Sequence, residues 1–113
     1  MLTLRTWMQE LRLRLLHLFF DTRYLAHRVG DLPEQIHERR IYLVGESEAP
    51  WLIAFQCPCG CGSLIQLNTL KEAKPRWTYE YHRFEHISLD PSVWRKVGCK
   101  SHFWIRKGKV VWC

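Results

Sequence analysis

Three cysteines stand at alternate positions in CPCGCG (57–62), and a Cys-x-x-His pair follows at Cys99-Lys100-Ser101-His102. Thiolate and imidazole are ligands that zinc prefers, commonly supplied as two pairs from two turns that meet at one tetrahedral ion. Pro58 fixes one φ, while Gly60 and Gly62 permit positive φ, so the first turn is able to aim its side chains at a common point. Cys57-Pro58 and Cys61-Gly62 match the two ends of the Cys-Pro-x-x-Cys-Gly knuckle of zinc-ribbon proteins. This predicts a Zn2+ site made by Cys57, Cys61, Cys99 and His102. Cys59 is the alternative ligand, paired with Cys61, or else a spare small thiol in a tight turn. Cys113, at the end of the chain, is set aside. Four protein ligands leave no position for water, so the expected ion is structural. Its apparent binding energy, about 10–16 kcal/mol, is comparable with the whole stability of a small domain.

Other chemistries compete for the same residue types. His82-Arg83-Phe84-Glu85-His86 matches the H-x-x-E-H pattern of inverted zinc metallopeptidases, which needs a helix. The preceding residues alternate with period two. A continuing strand would hold His82 and His86 about 13 Å apart, at about 3.3 Å per residue. The zinc-deaminase pattern, the G-x-S-x-G elbow, the P-loop and the dinucleotide fingerprint are absent. Cys59 is a conceivable acyl acceptor beside the metal, with His82, Glu85 and His86 available as partners. No paired general base is legible for it, so the balance falls toward a binding module rather than an enzyme.

The chain has 113 residues, 47% of them hydrophobic, with six Trp, four Tyr and five Phe, which excludes a disordered tail. Five cysteines cannot all pair, and the clustered three are too close to bridge one another without strain. Thiols held by metal in a reducing cytoplasm are expected instead. Arg12 and Arg14 interrupt the apolar N-terminal run, no cleavage-site pattern follows it, and the run is too short and charged to be a transmembrane segment. The net charge of +6 is localised. Residues 1–90 hold 11 Lys/Arg against 11 Asp/Glu, whereas residues 91–113 hold six cations and no acid. Arg95, Lys96, Lys100, Arg106, Lys107 and Lys109 are interleaved with Trp94, Phe103, Trp104 and Trp112. Cations suit phosphates and aromatic faces suit unpaired bases, so nucleic-acid binding through Arg95, Lys96, Lys100, Trp104, Arg106, Lys107 and Lys109 is the alternative function.

These residues must be positioned by the elements around them. Residues 2–20 carry one apolar stripe at helical spacing (Leu4, Trp7, Met8, Leu11, Leu15, Leu18, Phe19) and a second nearly opposite (Leu2, Leu13, Leu16, Phe20). Thr3 or Thr6 is placed to cap its start. A helix apolar on two sides is either wholly buried or turns one side to a protein partner or a second copy. Gly30-Asp31-Leu32-Pro33 breaks the chain, and PEQIHERR reads as a short helical turn. Strands are predicted at 41–45, 51–55, 63–67 and 77–84, then at ISL, FWI and VVW, with RKGK as a hairpin loop. Asp90-Pro91-Ser92 reads as a turn. The expected fold is α+β and β-rich: residues 1–30 as an N-terminal helical segment, residues 37–113 as a small zinc-ribbon-like domain of short antiparallel strands and hairpins.

The order CPCGCG, SLDPSVW and GCKSHFWIRKGKVVW, over about residues 40–112, resembles a family of small bacterial proteins with a cysteine-rich centre and a Cys-x-x-His-Phe-Trp-Ile segment. Members are at times encoded beside ubiquitin-like proteins and their conjugating enzymes in defence loci. The resemblance implies an accessory or substrate-recruiting role in protein conjugation. The expected function is accordingly a zinc-stabilised protein-interaction module, with a ubiquitin-like protein or conjugating enzyme as partner.

Overall fold

The computed structural model describes residues 4–45 and 49–113. The element order is α1 (Leu4–Phe19), β1 (Leu25–Val29), β2 (Arg40–Val44), β3 (Leu52–Gln56), β4 (Leu64–Asn68), β5 (Thr78–Tyr81), a 3₁₀ turn (Arg83–Glu85), β6 (Ile87–Asp90), β7 (Val93–Trp94), β8 (His102–Arg106) and β9 (Lys109–Trp112). The described residues are β-rich, with one α-helix and three short sheets ordered β1-β2-β3-β4, β5-β6 and β7-β8-β9. All pairs are antiparallel except β1 with β2, which run parallel.

Residues 25–29, placed by sequence with the N-terminal helical segment, are thus a strand of the main sheet. A parallel pair needs a crossover, and residues 30–39 supply it as irregular chain rather than the short helix expected of PEQIHERR. Side-chain bonds hold this crossover: Gln56 Nε2 donates to the Ile36 carbonyl at 2.9 Å, and the His37 N–H donates to the Tyr42 hydroxyl at 3.0 Å.

The core explains why these runs became strands. β2 is buried at every position, so its near-continuous apolar sequence replaces the usual alternation. Ile41, Leu43, Ile53, Phe55, Ile65 and Leu67 from the first sheet meet Ile87, Leu89, Val93, Phe103 and Ile105 from the other two. Burying each such side chain contributes about 1.5–3 kcal/mol. Cys57, at the exit of β3, belongs to this same core.

Helix α1 places Leu13 and Leu16 against Leu25, with Phe20 alongside. The second stripe is therefore the inner one. The first stripe faces outward: Trp7, Met8, Leu11, Leu15, Leu18 and Phe19 are all between 44% and 79% exposed. A wholly buried helix is excluded by this arrangement. Thr6 lies inside the first turn rather than capping it, while Leu2, Thr3 and the Leu4 side chain lie outside the described residues. No helix among the described residues is long and apolar enough to cross a membrane.

Candidate functional site: a thiol centre beside a Ser–His pair

β3 and β4 pair in register from Leu52↔Asn68 to Gln56↔Leu64, which forces the CPCGCG segment into the connection between them. The Cys57 N–H donates to the Ser63 carbonyl at 2.9 Å and closes the loop at its base. Gly60 and Gly62 take φ of +90° and +80°, which L side chains rarely adopt, and this folds Cys59 and Cys61 back toward Cys57.

The fourth thiol arrives from the β7–β8 hairpin. Cys99 lies between Gly98 and Lys100, whose φ values are +74° and +55°. The sulfurs of Cys57, Cys59, Cys61 and Cys99 all lie within 4.8 Å of one another. Cys57 Sγ is 3.5 Å from Cys59 Sγ and 3.6 Å from Cys99 Sγ, and none of the cysteines is in a disulfide. A tetrahedral zinc ion with bonds of about 2.3 Å spaces its sulfurs about 3.8 Å apart. The donor set and its spacing therefore fit a tetrahedral ion that prefers sulfur.

The electrostatics of the loop are uneven. A hydrogen bond with the Ser101 hydroxyl, 3.2 Å away, draws the Cys99 thiol down to about 6. The Ser63 hydroxyl lowers Cys61 likewise, whereas its hydrogen bond with Cys61 pushes Cys59 up to about 11. The Arg95 guanidinium donates to Cys61 Sγ at 3.5 Å and to Cys99 Sγ at 3.4 Å.

The expected ligand His102 is not in this group. Its register partner is Trp94, on which its ring stacks at 5.0 Å and 15°, and its Nε2 meets Ser92 Oγ at 2.9 Å. The cause is the pleat: Cys99 lies in the loop, but His102 is already the first residue of β8, and its side chain turns toward β7. Cys59, the alternative ligand, is brought into the group instead. Cys113 lies beside His102, whose carbonyl accepts its N–H at 3.0 Å.

Ser92 was read from sequence only as a turn residue. The signal that could have found it is the hairpin register: with Trp94 opposite His102, continuing the pairing sets Ser92 diagonally from His102 on the same face. Ser92 Oγ and His102 Nε2 stand at hydrogen-bond distance, the arrangement from which an imidazole with its proton on Nδ1 accepts a serine proton.

A second pair lies nearby: His82 Nε2 and Ser88 Oγ are 2.8 Å apart, and Ser88 Oγ also accepts the Lys107 N–H at 2.9 Å. The HRFEH segment is no helix. Its 3₁₀ turn carries Phe84 and Glu85 at φ of +58° and +59°; His86 packs edge-on against Phe20 while His82 reaches Ser88. This removes the metallopeptidase geometry, although through a tight turn rather than the extended strand expected.

The basic residues proposed for nucleic acid are placed on their own neighbours. Lys96 Nζ lies 4.7 Å from the centre of the Trp94 ring, and the Arg106 guanidinium lies 4.5 Å from that of Trp104. Arg95 is turned to the thiols, Lys107 occupies the β8–β9 turn, and Lys100 and Lys109 are exposed.

No curated protein and no solved structure matches the chain. Residues 28–113, which hold all four clustered cysteines and both Ser–His pairs, match the BubE family, described as the bacterial ubiquitination-like system serine protease. On a match spanning these residues, the chain belongs to the BubE family, and with it to the ubiquitin-like conjugation systems of bacteria.

Proposed function

We propose that this chain is a serine peptidase acting on a ubiquitin-like protein or its conjugates, with Ser92 as nucleophile and His102 as its general base. The observation that carries the reading is the 2.9 Å contact between Ser92 Oγ and His102 Nε2 within the family-matched segment. Ser92 Oγ attacks the carbonyl carbon and passes its proton to His102 Nε2. The tetrahedral intermediate then expels the amine, which leaves with that proton. Water repeats the sequence on the resulting ester and frees a carboxylate.

In this reading Cys57, Cys59, Cys61 and Cys99 hold one zinc ion, whose filled coordination shell supplies rigidity rather than a reactive water. The ion joins the β3–β4 loop to the β7–β8 hairpin, with Ser92 just before β7 and His102 at the start of β8. The interaction role expected from sequence becomes substrate docking, and the outward face of α1 is a surface offered to a protein partner.

Ser88 and His82 make a second reading, favoured by their 2.8 Å contact. Ser92 is preferred because the Ser88 oxygen is already engaged by the Lys107 N–H. A fluorophosphonate probe followed by peptide mass mapping separates the two. Labelling of Ser92, together with a loss of about 10³-fold or more in cleavage of an extended ubiquitin-like precursor by Ser92→Ala, supports the proposal. Labelling of Ser88, or full cleavage by Ser92→Ala, overturns it.

A further inference from the structure

We propose that Arg95 is a positioning residue that couples the thiol centre to the Ser92–His102 pair. The inference rests on the peptidase reading above and extends it to a residue that touches neither the ion nor the reacting atoms.

The geometry is specific. One guanidinium nitrogen reaches Cys61 Sγ on the β3–β4 loop and Cys99 Sγ on the β7–β8 hairpin, at 3.5 and 3.4 Å. Arg95 therefore spans the two chain segments that the thiols join. Its backbone N–H donates to the Ser101 carbonyl at 2.8 Å, which continues the β7–β8 pairing one residue beyond Trp94↔His102. Trp94, the residue before Arg95, stacks on the His102 ring, and Ser92 stands two residues earlier. Side chain and backbone of Arg95 thus act on the same hairpin from opposite sides: the thiols hold its guanidinium, and its strand holds the imidazole in reach of Ser92. Four thiolates around a dication leave a surplus of negative charge, and a guanidinium nitrogen shared between two of the sulfurs offsets part of it. Partners at this distance from a metal orient its ligands, and their removal weakens metal retention or activity by about 10–100-fold.

The test uses the full chain loaded with one zinc ion. Arg95→Ala is expected to release zinc to a chromogenic chelator about 10-fold faster than the wild type. In its loaded form it is expected to show a lowered kcat at unchanged KM, with Arg95→Lys partly restoring both. The His102 ring signals in NMR supply a readout independent of turnover. They are expected to move on zinc removal in the wild type, and to be displaced already in loaded Arg95→Ala. A wild-type release rate in Arg95→Ala, or faster release with unmoved His102 signals, overturns the coupling. Full cleavage by Ser92→Ala would instead sink the peptidase reading, leaving release and ring signals to judge Arg95 alone. Circular dichroism of Arg95→Ala against the wild type identifies a folding defect in the alanine variant, and Arg95→Lys then carries the test.

Discussion

Arg40 Nη1 lies 2.6 Å from Glu10 Oε2, which ties helix α1 to strand β2 through a cation whose side chain is only 5% exposed. Arg40 Nε also reaches His17 Nε2 at 3.4 Å, and His17 stacks on His37 at 4.6 Å. A charge this buried tolerates its surroundings only while paired. Glu10→Gln leaves Arg40 without its counter-charge and is expected to cost about 1–3 kcal/mol, read as a lowered midpoint in urea. An unchanged midpoint would show that the ion pair does not hold the helix.

The same cluster sets a pH response. Burial, with the charges of His37 and Arg40, lowers His17 to about 4, and burial with Arg40 lowers His27 to about 4. An unfolded chain protonates such rings near pH 6.5, so it takes up protons first as the pH falls. Stability is then complete above about 6.5 and declines toward about 4. Burial pushes the Glu10 carboxyl up, but its hydrogen bond to Arg40 and the Arg40 charge prevail and hold it below its ordinary value, which acts in the same direction. The thermal midpoint should fall between pH 7.5 and 5, and the His17→Gln, His27→Gln pair should flatten that slope.

Metal content distinguishes the thiol set from the ligands expected at first. Cys59→Ala and Cys99→Ala should each lower the zinc found by elemental analysis from one ion per chain, while His102→Ala and Cys113→Ala should keep it. Retention by Cys59→Ala with loss in His102→Ala would restore the mixed Cys/His site. Cys57→Ala is expected to be the most damaging of the four, because Cys57 is also a member of the core.

The two faces of α1 respond differently to truncation. Leu13→Ala opens a cavity at a side chain 1% exposed and is expected to cost about 2–5 kcal/mol. Leu18→Ala, at a side chain 77% exposed, should change stability by about 0.5 kcal/mol or less. Denaturant midpoints of the two variants check this, and similar losses would mean that the outward face is covered in solution.

Much of the strand pattern was readable because IYLVG, WLIAF and SLIQL combine β-branched and aromatic residues between turn signals. The thiol loop was readable because cysteine, proline and glycine carry their chemistry locally. LAHRV was missed because Ala26, His27 and Arg28 carry no strand signature, and it becomes a strand only by pairing with β2. The Ser92–His102 pair was missed for a related reason. Cys-x-x-His is a statement about sequence distance, whereas the direction of the His102 side chain is decided by where β8 begins. Nothing within one segment announces that a serine ten residues upstream reaches it diagonally across a hairpin.

Tyr24 donates its N–H to the Gly108 carbonyl at 2.8 Å, and Arg23 Nη1 donates to the Lys107 carbonyl at 3.0 Å across a separation of 84 residues. The entry to the first strand is therefore completed by the turn of the last hairpin, which is also where Gly108 leaves no room for a side chain against Tyr24. During synthesis the β1–β4 sheet emerges long before Phe103 and Ile105 arrive to cover its core face. The nascent chain holds three thiols and Ser92 without Cys99 or His102 until that hairpin is made. The thiol cluster and the Ser92–His102 contact are thus assembled late in synthesis, and a chain cut before residue 99 lacks both Cys99 and His102.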